Sequence, residues 1–265
     1  MENLPSWLTH LLSVAFGLVF GSFVNVVVAR LPKKQSIIRP SSQCVHCRKS
    51  LRWWDNIPVL SYLLLLGKCR FCKQNISVRY PVIEVLTAAL FLATRLRFGW
   101  TPLLWIRDWP FVVALVSITF IDLEHRIIPD VLSLGGLVLG LATCWFGPTS
   151  LYPGWILSFI GALLGFSLFY CLAWGYYRMT GRSGLGGGDI KLLAMLGAFL
   201  GPSGVLATIF ISSIFGSVVG ISWALVQGKK NVMRMSIPYG PFLVVGALYY
   251  YLLGDLLWFQ FMTPI

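Results

Sequence analysis

Long apolar runs broken by short basic loops set the pattern of this chain, and the runs are long enough to cross a bilayer. A helix needs roughly 20 apolar residues to span about 30 Å of hydrocarbon. Spans are expected near 7–29, 82–98, 105–122, 128–147, 153–177, 190–200, 203–227 and 237–261. The predicted class is an all-α polytopic membrane protein with about eight transmembrane helices. The sixth expected span is short, because Gly201-Pro202 interrupts it, so the residue that opens it is expected to lie slightly inside the membrane in a wet cleft. Between the first two spans lies the one substantial polar insert, 30–80, opened by Arg30-Leu31-Pro32 and closed by Arg79-Tyr80-Pro81. The expected organisation is therefore 1–29 as the first transmembrane helix, 30–80 as a small cytosolic module and 81–265 as the membrane core.

Composition agrees with the pattern: 57% of the 265 residues are hydrophobic and 11% charged, with mean hydropathy +0.78, which excludes an ordinary soluble domain. Residues 1–10 contain Glu2 and no Lys or Arg, so a cleaved secretory signal is not expected. Of the 21 basic residues, eleven lie in 30–80, and Arg126, Arg178, Arg182, Lys191, Lys229, Lys230 and Arg234 fall in loops that alternate to the same side. The positive-inside rule makes that side cytosolic and leaves Arg95, Arg97 and Arg107 towards the other face. This distribution accounts for the net charge of +12 through topology and anionic lipid; membrane lipid is the expected partner and nucleic acid is not. Gly161 and Gly165 form a small-xxx-small pair suited to close helix packing.

Within the insert, Cys44-Val45-His46-Cys47 and Cys69-Arg70-Phe71-Cys72 are two CxxC knuckles 21 residues apart. Cys44, Cys47, Cys69 and Cys72 make a four-thiolate zinc site, and Arg48, Lys49, Lys68, Arg70 and Lys73 would offset its negative charge. A module of about 50 residues cannot build a large core, and bound zinc contributes on the order of 10 kcal/mol to its folding. Disulfides or a dithiol redox pair are the competing readings, disfavoured by the cytosolic side and by the lack of a thioredoxin-like βαβ pattern. His46 reads as a spacer, and Cys144 and Cys171 as small buried core residues.

Two aspartates stand at the edges of apolar runs: Asp122 closes the third, and Asp189 opens the sixth after Gly186-Gly187-Gly188. Ionisable groups so placed are costly and mark function by default. Two carboxylates facing one water can divide peptide hydrolysis, the ionised one activating water and the protonated one polarising the scissile carbonyl. Gly186 and Gly188 would let a backbone approach closely and reach positive φ. The structural alternative gives each aspartate a cap or an ion pair, with Lys191 or Arg126 as partner. Asp130, after Pro129, reads as the cap of the fourth span, and Glu124 and His125 as solvated turn residues.

Taken in order, these residues resemble bacterial type IV prepilin peptidases, the GxGD membrane aspartyl proteases, over nearly the whole chain. The resemblance rests on Gly21-Ser22-Phe23-Val24-Asn25 with Arg30-Leu31-Pro32, the two knuckles, Asn56-Ile57-Pro58, Gly67-Lys68-Cys69, and Arg79-Tyr80-Pro81 with Glu84. It continues through Ile121-Asp122, Pro129-Asp130, Gly186-x-Gly188-Asp189 and Pro238-Tyr239-Gly240-Pro241. It implies cleavage of basic leaders from type IV prepilins and type II secretion pseudopilins by Asp122 and Asp189, at the cytosolic face of the bacterial inner membrane. With the four cysteines intact it also implies N-methylation of the new N-terminus with S-adenosylmethionine. Glu84 and Gly67 are then candidate cofactor-binding residues, although an interfacial carboxylate paired with Arg79 and a turn glycine describe them equally. No glycine-rich strand-to-helix fingerprint of a soluble nucleotide fold is present. Two other classes compete: a transporter with an aspartate proton relay, which should show paired broken helices in an internal repeat, and a zinc-module scaffold of a secretion assembly. The oligomeric state is not written in the sequence.

Overall fold

The computed structural model describes residues 4–146, 152–182, 186–227 and 238–257; Glu2 and the basic loop of Lys229, Lys230 and Arg234 lie outside them. The described chain is helical: α1 (Ser6–Arg30), α2 (Leu60–Leu64), α3 (Arg79–Phe98), α4 (Trp109–His125), α5 (Asp130–Thr143), α6 (Trp155–Thr180), α7 (Gly187–Gln227) and α8 (Gly240–Leu257). The only strand pairing among these residues is two isolated bridges.

Among the described residues, four stretches are long and apolar enough to cross a membrane: Ser6–Lys33, Leu104–His125, Trp155–Thr180 and Gly187–Trp223. The eightfold count is therefore not reproduced by length and apolarity. α3 carries Arg79, Glu84, Arg95 and Arg97, and α5 is 14 residues long. The expected sixth and seventh spans share α7, where Gly201 (φ 71°, ψ −176°) is non-helical and Pro202 follows. The break lies where the sequence placed it. Residues 187–200 give only ~21 Å of helix before it.

The chain divides into two compact units, Met1–Ser117 and Ile118–Ile265. In the first, the buried side of α1 carries a stripe of small or polar residues four apart, Thr9, Ser13, Gly17, Gly21 and Asn25, joined near its end by Val24, Val27 and Val28. Leu11, Val19 and Phe23 on its other sides are exposed. That inversion is what lipid permits, since apolar side chains gain nothing by leaving it, whereas small residues let backbones meet. A Cβ at Gly21 would stand 2.6 Å from the Cα of Glu84 on α3. Below this pair, Phe91 stacks on Trp109 at 4.6 Å between ring centres, and the two knuckles close the polar insert.

The second unit is built around the first half of α7, where Leu192 to Leu200 are buried. α6 approaches it through the predicted glycine pair. A Cβ at Gly161 would strike the carbonyl oxygen of Gly197, and one at Gly165 that of Leu193. On α5, Gly136 makes room for Met195 and Gly140 for Phe199. Cys144 is buried as expected, but Cys171 is exposed on α6, where a small apolar side chain suits a lipid-facing surface.

Candidate functional sites

Each knuckle is the same turn. The N–H of Cys44 bonds the Lys49 carbonyl and that of Cys69 the Gln74 carbonyl, each near 3 Å. Arg48 (φ 55°) and Lys73 (φ 58°) turn the chain after the second cysteine of each knuckle. All four Sγ atoms lie within 4.8 Å of one another, and none is in a disulfide. Cys44 and Cys72 are 3.8 Å apart, the sulfur separation a tetrahedral ion with ~2.3 Å Zn–S bonds requires. The donor set and its spacing fit zinc, and His46 stands outside the group. Without metal, the Cys69 thiol is lowered to about 7, chiefly by the backbone N–H of Cys72. For Cys72 the Gln74 N–H acts downward, but burial and the other thiols outweigh it and push the group up to about 11. A bound dication reverses that, since coordination deprotonates a thiol outright.

Between the end of α1, the knuckles and the start of α3 is a cavity of about 750 Å³, lined by Asn25, Asp55, Tyr62 and Glu84 among others. Glu84 is buried and accepts the Val59 N–H at 2.7 Å and a hydrogen bond from Ser22. Val59 has φ 59° and ψ −49°, and the Leu60 N–H reaches back to Pro58 at 2.5 Å. This is the rare, strained kind of γ-turn, on a β-branched residue that disfavours it. Gly67 (φ 68°) is a buried turn residue whose absent Cβ would stand 2.9 Å from the Tyr62 hydroxyl. It supports the cavity wall through Tyr62 and does not itself line the cavity.

In the second unit, α4 delivers Asp122 and the first turn of α7 delivers Asp189. Asp122 is 5% exposed and accepts the Gly240 N–H at 3.0 Å. The two carboxylates are close enough to interact as charges. The ion-pair alternative proposed for Asp189 is answered in part, because Lys191 binds Asp130 instead, at 2.7 Å. Asp130 is the first residue of α5, with Pro129 in the cap position, so it joins two helix starts and caps neither. Glu124 and His125 face solvent, 4.0 Å apart.

The glycines act through space. Gly186, Gly187 and Gly188 have no left-handed φ, contrary to the expectation from sequence, because Gly187 and Gly188 are already helical. A Cβ on Gly186 would meet Asp189 Oδ2 at 3.1 Å, and one on Gly188 would meet Ile128 at 2.9 Å. Gly240 is the residue whose role the sequence did not disclose. It bonds Asp122, and its absent Cβ would lie 2.6 Å from Asp122 Oδ2. Its only signal was the Pro238-Tyr239-Gly240-Pro241 turn ahead of α8.

Apolar membrane-length helices, a pair of interacting carboxylates of which Asp122 is buried and Asp189 half-buried, and a metal-shaped cysteine module describe an integral-membrane enzyme. Residues 15–98 match the bacterial peptidase A24 N-terminal domain, and residues 109–221 match the type IV leader peptidase family. Among curated relatives, the prepilin leader peptidase/N-methyltransferase of Pseudomonas putida is 35% identical over 92% of this chain and 90% of its own length. The like-named proteins of Myxococcus xanthus (41%; 87% of this chain, 68% of the relative) and Neisseria gonorrhoeae (34%; 93% and 91%) are similar. The chain belongs to the type IV leader peptidase family. No solved structure matches it.

Proposed function

We propose that this enzyme removes the basic leader peptides of type IV prepilins and type II secretion pseudopilins, then N-methylates the exposed N-terminus. The observation that carries the cleavage reading is the pairing of Asp122 with Asp189 beside glycines at 186, 188 and 240. In the working state one carboxyl holds a proton and the other does not. The ionised carboxylate takes a proton from water as it attacks, and the protonated one donates to the scissile carbonyl, whose oxygen gains charge. The glycines leave the wall without side chains where an extended peptide must pass. On the eight-span reading of the sequence, Arg126, Arg178, Arg182 and Lys191 fall on the same side as the two aspartates, which supports an active site on the cytosolic side of a bacterial inner membrane.

The methylation reading rests on the relatives' names and on the cavity beside the knuckles. S-adenosylmethionine would supply an activated methyl group on a sulfonium for transfer to the neutral pilin amine, with loss of the amine's proton. Glu84 is a candidate acceptor there, while Gly67 shapes Tyr62 in the wall. Zinc held by Cys44, Cys47, Cys69 and Cys72 would fix the module's two turns.

Asp122→Asn and Asp189→Asn test the dyad in membranes supplied with a prepilin. Each is expected to lower cleavage by at least about a thousandfold while leaving the protein folded. Full cleavage by either would refute the assignment. Mass measurement of the mature N-terminus, with and without S-adenosylmethionine, tests methylation.

A further inference from the structure

Among the described residues of the first unit, an amide oxygen and a carboxylate oxygen, Asn25 Oδ1 and Asp55 Oδ2, are buried without a hydrogen-bond partner, and both residues line the cavity that Glu84 also lines. Asn25 is 3% exposed, Asp55 8% and Glu84 7%. An orphaned buried acceptor costs its full desolvation energy, so such an atom calls for a donor absent from the protein itself. Three acceptor side chains, two of them carboxylates, in a space of about 750 Å³ specify a ligand rich in N–H and O–H groups and positively charged. The volume is in the upper part of the ~300–1,000 Å³ range of small-molecule sites. Lys33 and Arg48 also line it and are exposed, placing positive groups where a carboxylate could be met.

We propose that Asn25, Asp55 and Glu84 form the binding site for the methyl donor, S-adenosylmethionine, with Arg70 as a positioning residue. This rests on the methylation reading above. The donor's ammonium, ribose hydroxyls and sulfonium match the acceptors, and its carboxylate matches the basic residues. Arg70 follows Cys69 in the second knuckle and holds Asp55 Oδ1 from two nitrogens, at 2.7 and 2.8 Å. That grip leaves Asp55 Oδ2 free for a ligand. On the α3 side, the Val59 N–H and Ser22 occupy only part of the hydrogen-bonding capacity of Glu84, since a carboxylate has about four acceptor sites. The zinc turn therefore sets one wall of the site, and methyl-donor binding depends on the knuckles through Arg70.

The test is equilibrium dialysis of the full-length enzyme in detergent against tritiated S-adenosylmethionine, alongside prepilin cleavage as the fold control. Asp55→Asn and Glu84→Gln keep the shape of each side chain and are expected to weaken binding about tenfold or more, with cleavage within about twofold of wild type. Arg70→Met should weaken binding, and Arg70→Lys should restore part of it. Binding within twofold of wild type in both carboxamide variants overturns the assignment, as does loss of cleavage in step with binding. A wild-type enzyme that cleaves but neither binds the cofactor nor methylates sinks the methylation reading itself. One that binds and methylates, with the variants unaffected, sinks this site alone.

Discussion

Gly240→Ala isolates the role of space at the dyad, because it removes no functional group. The new Cβ would stand 2.6 Å from Asp122 Oδ2 and 3.2 Å from its Cγ, with Ile128 Cδ1 at 3.3 Å. Ordinary contact begins at 3.4 Å, so the carboxylate must withdraw by about 0.8 Å or the start of α8 must move. Either response strains or breaks the hydrogen bond from the Gly240 N–H, which to a charged acceptor contributes ~1.5–3 kcal/mol. Misplacing a reacting group by about 1 Å costs on the order of a hundredfold in rate. We therefore expect kcat for prepilin cleavage to fall roughly a hundredfold, with much less change in KM.

The assay is single-turnover cleavage in membranes, read by the gel shift of the shortened pilin, with thermal unfolding in detergent to establish that the protein folds. Gly187→Ala is the matched control, since no atom lies within 4 Å of its added Cβ and its backbone is helical. It should cleave within about threefold of wild type. Gly186→Ala, facing Asp189 Oδ2 at 3.1 Å, should fall between the two. A folded Gly240→Ala enzyme as active as wild type would refute the reasoning, and so would a Gly187→Ala enzyme equally impaired.

Three further outcomes follow from other contacts. Gly197→Leu would drive a side chain into the Gly161 carbonyl where α6 crosses α7; a loss of at least about 3 kcal/mol, or no folded protein, is expected in a detergent unfolding titration. The Lys191–Asp130 pair is 2.7 Å long but its side chains are 36% and 59% exposed, so a double-mutant cycle with Lys191→Met and Asp130→Ala should give a coupling of only ~0–1 kcal/mol, shrinking with salt. Metal analysis of purified protein should find one zinc per chain, lost in Cys44→Ser with Cys69→Ser, and limited proteolysis should then cut within 30–80.

What could be read from the sequence depended on how local its cause was. The knuckles were legible because a CxxC turn brings its own two thiols together and a second copy at zinc spacing completes a four-thiol donor set. The break at Gly201-Pro202 was legible for a similar reason: proline lacks the donor that a continuous helix needs. Asp122 and Asp189 stood out by the cost of a carboxylate at the end of an apolar run. Of the eight spans expected from the hydrophobic pattern, by contrast, four helices among the described residues reach membrane length and apolarity, because the pattern registers apolar runs and not whether a helix bends, shortens or carries charge.

The residues least visible in sequence were those whose significance depends on a partner far along the chain. Gly240 meets Asp122 across 118 positions. Asn25 bonds the Tyr80 carbonyl across 55, leaving its own Oδ1 orphaned. Neither is unusual alone, since a glycine before a proline and an asparagine in a helix have many uses. Yet α1 buries the i, i+4 stripe that ends in Asn25 while leaving Leu11, Val19 and Phe23 exposed, a choice that makes sense where lipid is the solvent. The same rule that hides small residues between helices therefore also carries a polar side chain to the cavity wall, so a polar residue on the small stripe of a membrane helix points to a buried polar site by its position in the chain alone.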